Sequence, residues 1–221
     1  MNLESIGILF LTGVGLYTAG IDAASGAEGH EIGNGGGAWV CKNADLEGTV
    51  RWAQLVDLYE GRNEFELTIP TVSRHFKPGY EQIIEQVLIG TLFSVDEDLY
   101  REVRRQLDNI KTNLRKTRST LAIIADSLFR IEPGEWECKG GSIMYVQVAN
   151  YTDYGKILIQ KDLFEHPKFS ETDRAALLVH EAVYAEMRER FGYVDSIRAR
   201  RIVGLLFSTL SHAELEIQLQ A

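Results

Sequence analysis

The most informative hydrophobic pattern is at residues 174–187, which are apolar on most faces of a helix. Ser170 and Asp173 open this stretch as a capping box, and Gly192 stands where such a helix would end. The ionisable side chains in its apolar middle are His180, Glu181 and Tyr184. An element this apolar is usually buried, and a buried carboxylate is costly unless it is paired, protonated or bound to a metal. The pattern therefore predicts a buried helix in which Glu181 has a partner.

The rest of the chain alternates between strand-like and helix-like patterns. Strands are expected over residues 38–42, 49–55, 121–125, 136–138, 143–149 and 156–160. Helices are expected over residues 80–93, 94–114 and 196–210. Two segments stay open: residues 56–60 extend a strand or start a helix, and residues 213–219, with period two, form a strand or a frayed helix. Together they predict an α+β fold: a single domain at 38–221 with an antiparallel sheet packed against the His-Glu helix and an additional helical segment at about 78–118.

The N-terminus has the features of an export signal. An apolar run at residues 6–17 is too short and too rich in glycine for a membrane span, and small residues at 23–27 offer cleavage positions, so residues 1–27 are expected to be a signal peptide. Glu4 and the lack of a positive start fit a signal poorly, and a buried N-terminal element is the alternative. The glycine-rich residues 28–37 are expected to be a linker. The alternative is that these glycines let the backbone and His30 approach a site closely.

Composition narrows the class of partner. The chain has 221 residues, a net charge of −9 and 45% hydrophobic residues, which is enough to bury one good core. The negative charge argues against nucleic acid or an anionic membrane surface as the main partner. For a periplasmic or secreted chain without a stable membrane span in its mature part, the expected partner is a protein or another component of the envelope.

The two cysteines, Cys41 and Cys138, both lie in strand-like surroundings. In an exported protein such a pair is expected to form one disulfide. Closing a loop of this length is worth about 4–5 kcal/mol in the chain-entropy model. Two buried free thiols are the alternative.

The sequence His180-Glu181-Ala182-Val183-Tyr184 differs at one position from the H-E-x-x-H zinc helix. In that motif two histidines bind zinc, and the glutamate is the general base for the metal-bound water. Tyr184 replaces the second histidine, and a neutral phenol is a poor zinc ligand. The alternative to a metal site is a buried hydrogen-bonded network of His180, Glu181 and Tyr184, with Arg198 or Arg201 of the next helix as the partner of Glu181.

Roughly residues 143–190 resemble the core of the zincin metallopeptidases. In both, a strand meander, ending here in the strand at 156–160, is followed by a capped helix that carries His-Glu. The resemblance implies zinc as cofactor, with His180 as first ligand and Glu181 as catalytic base. No residue matches the second ligand. Asp195 is the candidate for a replacement acidic ligand, and His30 or Tyr184 for a further one.

A fuller resemblance covers most of the mature chain. It rests on segments shared with a group of exported bacterial proteins that have no established activity: Gly33 to Gly36, Val40-Cys41, Asp57 to Glu60, His180 to Tyr184 and Asp195 to Arg200. Two functions follow. The first is a secreted or periplasmic protein with a degenerate zincin-like core that acts by binding and is not catalytic. The alternative is a metal-dependent, peptidase-like hydrolase with a non-standard metal site at His180 and Glu181.

Overall fold

The computed structural model describes residues 36–44, 49–70, 78–123, 130–152 and 156–220, which form helices and two small sheets. The strands are β1 Gly37–Asn43, β2 Val50–Leu55, β3 Leu114–Thr117, β4 Gly141–Gln147, β5 Ala149–Tyr151 and β6 Ile157–Gln160. The α-helices are α1 Val56–Asn63, α2 Tyr80–Val87, α3 Phe93–Val95, α4 Glu97–Asn113, α5 Lys161–Phe164, α6 Glu171–Phe191, α7 Ile197–Leu206 and α8 His212–Gln220. A π-helical turn, Leu88–Leu92, joins α2 to α3, and a 3-10 turn, Glu135–Cys138, precedes β4. The α+β prediction is confirmed.

The first sheet is antiparallel, with strand order β2-β1-β4. Cys41 of β1 is bonded to Cys138 of the 3-10 turn, with a Cα–Cα distance of 5.7 Å, and this confirms the predicted disulfide. Since the two cysteines are 97 residues apart in sequence, the bond links the start of the described fold to the segment that leads into β4. Such a bond is consistent with an exported protein.

The second sheet, with strand order β3-β6-β5, departs from the expected all-antiparallel arrangement, because β3 runs parallel to β6. The helical segment was expected over about 78–118. Its last helix ends at Asn113, and the chain continues as strand β3. Arg115 and Lys116 are exposed on β3. Charged side chains on an edge strand are a usual device against unwanted pairing, and they conceal a strand from hydrophobic pattern analysis.

Helix α6 lies at the centre of the molecule, in contact with α2, α4 and α7. The side chain of Ser170 accepts a hydrogen bond from the backbone N–H of Asp173, and Gly192 ends the helix in the left-handed conformation, as the sequence predicts. Of its 21 residues, 14 are buried. One continuous hydrophobic core joins α6 to residues of both sheets and of α1, α4 and α7.

Two local predictions were wrong. Residues 121–123 are not in a strand, and residues 136–138 belong to the 3-10 turn. Residues 213–219 lie in α8, where Leu215 is buried and Ile217 is 67% exposed. Leu215 and Leu219 are four residues apart, so they satisfy a helical repeat as well as a period of two. The open segment at 56–60 is the start of α1.

Some sequence predictions concern residues that the structure does not describe. The proposed signal at 1–27, residues 28–35 of the proposed linker, and residues 124–125 of a proposed strand lie outside the described residues. Gly36 and Gly37 are buried and adjoin or begin β1, so this end of the glycine-rich segment belongs to the folded body. Within the described ranges, no helix is both long and apolar enough to cross a membrane.

Candidate functional site: a buried network around the His-Glu helix

His180 and Glu181 occupy the buried middle of α6, and both residues are 0% exposed. The Nδ1 atom of His180 lies 2.6 Å from Oδ2 of Asp57, which is in the first turn of α1. The side chain of Asp57 is 0% exposed and that of His180 is 1% exposed. The first contact of the site is therefore a histidine-carboxylate pair shielded from solvent.

Glu181 is held by the backbone of the glycine-rich segment. The N–H of Gly36 donates to Oε1 of Glu181 at 2.6 Å, and the hydroxyl of Tyr151 donates to the backbone carbonyl of Glu181 at 2.6 Å. A Cβ at position 36 would collide with Cδ1 of Leu177 and lie 3.3 Å from the Glu181 carboxylate. Gly36 thus allows close approach: the main chain contacts the helix where a Cβ would displace the end of the Leu177 side chain.

A second buried ion pair lies one turn along α1. Nε of Arg200 donates to Oε2 of Glu60 at 2.8 Å, and these side chains are 5% and 4% exposed. The pKa of Glu60 is raised from 4.5 to about 7, chiefly by burial; the charge of Arg200 opposes this rise and the charge of Asp57 adds to it. Asp57 and Glu60 are three residues apart, so α1 directs one carboxylate at α6 and one at α7.

Aromatic rings pack on the far side of His180. The ring of Tyr184 lies 6.2 Å from that of His180 and 6.3 Å from that of Tyr151, and the guanidinium of Arg188 lies 5.6 Å from each tyrosine ring. Burial, reinforced by the charge of Glu181, raises the pKa of the Tyr151 phenol well above its ordinary value. Both phenols border the His-Glu pair, and the Tyr151 phenol stays neutral as a donor to the Glu181 carbonyl.

The expected arginine partners of Glu181 lie elsewhere. Arg198 donates to the Tyr193 hydroxyl at 3.1 Å, and Arg201 donates to Oε1 of Gln218 at 3.2 Å. The pairing proposed for them is therefore corrected. Helical phase is the reason, since α7 directs Arg200 into the protein while Arg198 is exposed.

Asp195, the expected acidic ligand, belongs to the start of α7. Its Oδ1 accepts from the backbone N–H of Ile197 at 3.2 Å, which is a local turn contact. With Arg198 and Arg201 it lines a cavity of about 440 Å³, which neither His180 nor Glu181 lines. His30 lies outside the described residues.

The zinc set implied by the zincin resemblance does not fit the described residues. Nδ1 of His180 is engaged by Asp57, and the residue one turn later is Tyr184. A catalytic zinc needs three protein ligands and an open fourth position. In the ranges 36–44, 49–70, 78–123, 130–152 and 156–220, no group of three His, Cys, Asp or Glu side chains is arranged to hold a metal ion.

Sequence reasoning missed Asp57, Glu60 and Arg200 as members of the site, and their partners lie 123 and 140 residues away in sequence. The sequence did contain one indication of these residues. The segments named in the second resemblance, Gly33 to Gly36, Asp57 to Glu60, His180 to Tyr184 and Asp195 to Arg200, each supply a residue to this network. We call the set Gly36, Asp57, Glu60, His180, Glu181 and Arg200 the buried network.

Comparison with protein-family models, with curated proteins and with solved structures gave no match for this chain. The chemistry of the buried network is therefore inferred from its geometry alone. That geometry joins the start of β1, α1, α6 and α7 through polar contacts of 2.6–2.8 Å.

Proposed function

We propose that this protein is an exported, disulfide-closed binding protein in which the His-Glu helix is structural scaffold and not a catalytic centre. The observation that carries the proposal is the closure of α6: His180 and Glu181 are both 0% exposed, with Asp57 against one and Gly36 against the other.

Catalysis by His180 and Glu181 would require that a substrate or a water molecule can reach their side chains. A general base must come within hydrogen-bond distance of the proton that it removes, directly or through one water. Oε1 of Glu181 instead accepts from the backbone N–H of Gly36, and both residues are buried. Buried polar networks of this kind fix one packing arrangement of their elements, because a misplaced partner leaves a buried charge unsatisfied.

Export is supported by the Cys41–Cys138 disulfide, since such bonds persist in oxidising compartments. The net charge of −9 supports a protein or envelope component, and not nucleic acid, as the partner. The disulfide and the buried network both stabilise the same fold. This stability suits a small domain that presents a fixed binding surface outside the cytoplasm.

The test is a calorimetric titration of the purified mature protein with zinc chloride. We expect no one-to-one binding that depends on His180. His180→Asn is the variant of choice because an amide retains a donor for Asp57, and Asp195→Asn tests the other expected ligand. Tight one-to-one binding that is lost in His180→Asn would overturn the proposal and favour the metal-dependent hydrolase. Binding that is unchanged in both variants would place the zinc elsewhere and leave the scaffold role intact.

A further inference from the structure

A cavity of about 710 Å³ lies beside the disulfide on one face of the first sheet. Alternate residues of β1 and β4 form its floor, with Trp39, Ile143 and Tyr145 on the same face as Cys41. The walls include Arg130, Ser142 and Glu135. Its volume is in the range of sites for small organic ligands, and the buried network takes no part in it.

Arg130 is the cation of this cavity. Its guanidinium lies over the Tyr145 ring, with Cζ 3.9 Å from the ring centroid. Its Nη1 atom is shielded from solvent and has no hydrogen-bond acceptor within the described part of the chain. By contrast, Arg174 is paired with Glu171, and Arg200 is paired with Glu60. A shielded guanidinium nitrogen without an acceptor is costly, and its place in a residue that lines a cavity points to a ligand.

A second donor on the same floor lacks an acceptor. Trp39 is 5% exposed, and its Nε1 atom is shielded without a partner among the described residues. Its ring packs edge-on against Tyr145, with centroids 5.7 Å apart. Buried indole N–H groups usually find an acceptor, and unsatisfied ones in native proteins need an explanation. Arg130, Trp39 and Tyr145 therefore line one cavity, and two of their shielded donor atoms lack an acceptor among the described residues.

We infer that this cavity binds a small monocarboxylate that carries an apolar group. The guanidinium of Arg130 pairs with the carboxylate, because planar guanidinium and carboxylate groups form charge-assisted, often bidentate hydrogen bonds. Trp39 and Tyr145 pack against the apolar group. Glu132 and Glu135 are exposed at the rim and disfavour a second negative charge on the ligand. This inference rests on the proposed binding function and names its ligand class.

The test compares two probes that differ in charge alone, N-acetyl-L-phenylalanine and N-acetyl-L-phenylalaninamide. Binding is measured by calorimetry and by tryptophan fluorescence on the oxidised, full mature protein. We expect the acid to bind at least tenfold more tightly than the amide. Arg130→Met should abolish this preference, since the methionine stem still packs on Tyr145 but has no charge. Arg130→Lys should retain part of it, because the charge remains without the planar pair of donors.

The matched control is Arg118→Met, at an exposed arginine outside the cavity, which should keep the full preference. Equal binding of acid and amide, no binding of either, or an unchanged preference in a folded Arg130→Met would overturn the inference. If Arg130→Met does not fold, a full preference in Arg130→Lys would overturn it as well. None of these outcomes affects the zinc titration, so failure of this site is distinguishable from failure of the scaffold proposal.

Discussion

Breaking the contact between His180 and Asp57 should show how much the buried network stabilises the fold. We consider Asp57→Ala, His180→Leu and the double variant. Either single change leaves the remaining polar side chain in a site that is 0–1% exposed. In His180→Leu the Asp57 carboxylate would lose its bond at Oδ2, while its Oδ1 already has no partner within the described ranges.

The expected loss of unfolding free energy follows from the burial of the His180–Asp57 pair. Removing one partner of a buried pair costs about 3–5 kcal/mol, because the other group is left desolvated and unpaired, whereas replacing both by apolar groups is often nearly neutral. Each single variant should therefore lose about 3–5 kcal/mol of unfolding free energy. The double variant should cost no more than one single variant, which gives a coupling energy of at least about 3 kcal/mol.

The assay is urea denaturation at pH 7 with the disulfide intact, followed by circular dichroism. The matched control is the same cycle on Arg101 and Glu97 of α4, which are 2.5 Å apart but 62% and 53% exposed. Its coupling should be about 0.5 kcal/mol or less. Additive losses at Asp57 and His180, or an Asp57→Ala variant as stable as the wild type, would refute this reasoning.

Three further predictions concern other parts of the structure. Gly36→Ala should destabilise by about 1–3 kcal/mol through overpacking against Leu177, whereas Gly90→Ala, where a Cβ meets nothing within 4 Å, should be neutral or stabilising; equal urea midpoints would contradict this. The pKa of Glu60 is raised from 4.5 to about 7, so its protonation favours folding at acid pH and this contribution is lost as pH rises through 7. Because Arg200→Met removes the influence that lowers this pKa, urea denaturation should show a larger loss at pH 8, about 3–5 kcal/mol, than at pH 5, and equal losses would refute it. Reduction of Cys41–Cys138, which closes a separation of 97 residues, should lower the unfolding free energy by up to about 4–5 kcal/mol, and an unchanged denaturation curve in dithiothreitol would contradict this.

Local signals account for what the sequence predicts well. The capping box at Ser170 and the terminal Gly192 fix the ends of α6, because both act through contacts within a few residues. Helix α4 begins at Glu97 and not at the expected residue 94, because Asp96 caps it by accepting from the N–H of Leu99. The disulfide follows from there being two cysteines in a chain with an export-like start.

What the sequence leaves open depends on helical phase and on distant partners. Arg198 and Arg201 were the expected partners for a buried carboxylate, whereas the packing of α7 buries Arg200. That residue pairs with Glu60, which hydrophobic patterning had left between strand and helix. Strand β3 was not predicted because it pairs with β6 through backbone groups, while its two central side chains, Arg115 and Lys116, are charged.

The amide exchange rate of Gly36, measured by NMR on the oxidised protein, tests most directly whether the His-Glu helix is closed. The account places this N–H on the Glu181 carboxylate at 2.6 Å in a buried position. It predicts exchange as slow as that of the central residues of β1, and faster exchange in Glu181→Ala with the rest of β1 still protected. Exchange at the rate of an unstructured glycine in the folded wild type would contradict the closure of Glu181, and with it the scaffold role of the His-Glu helix.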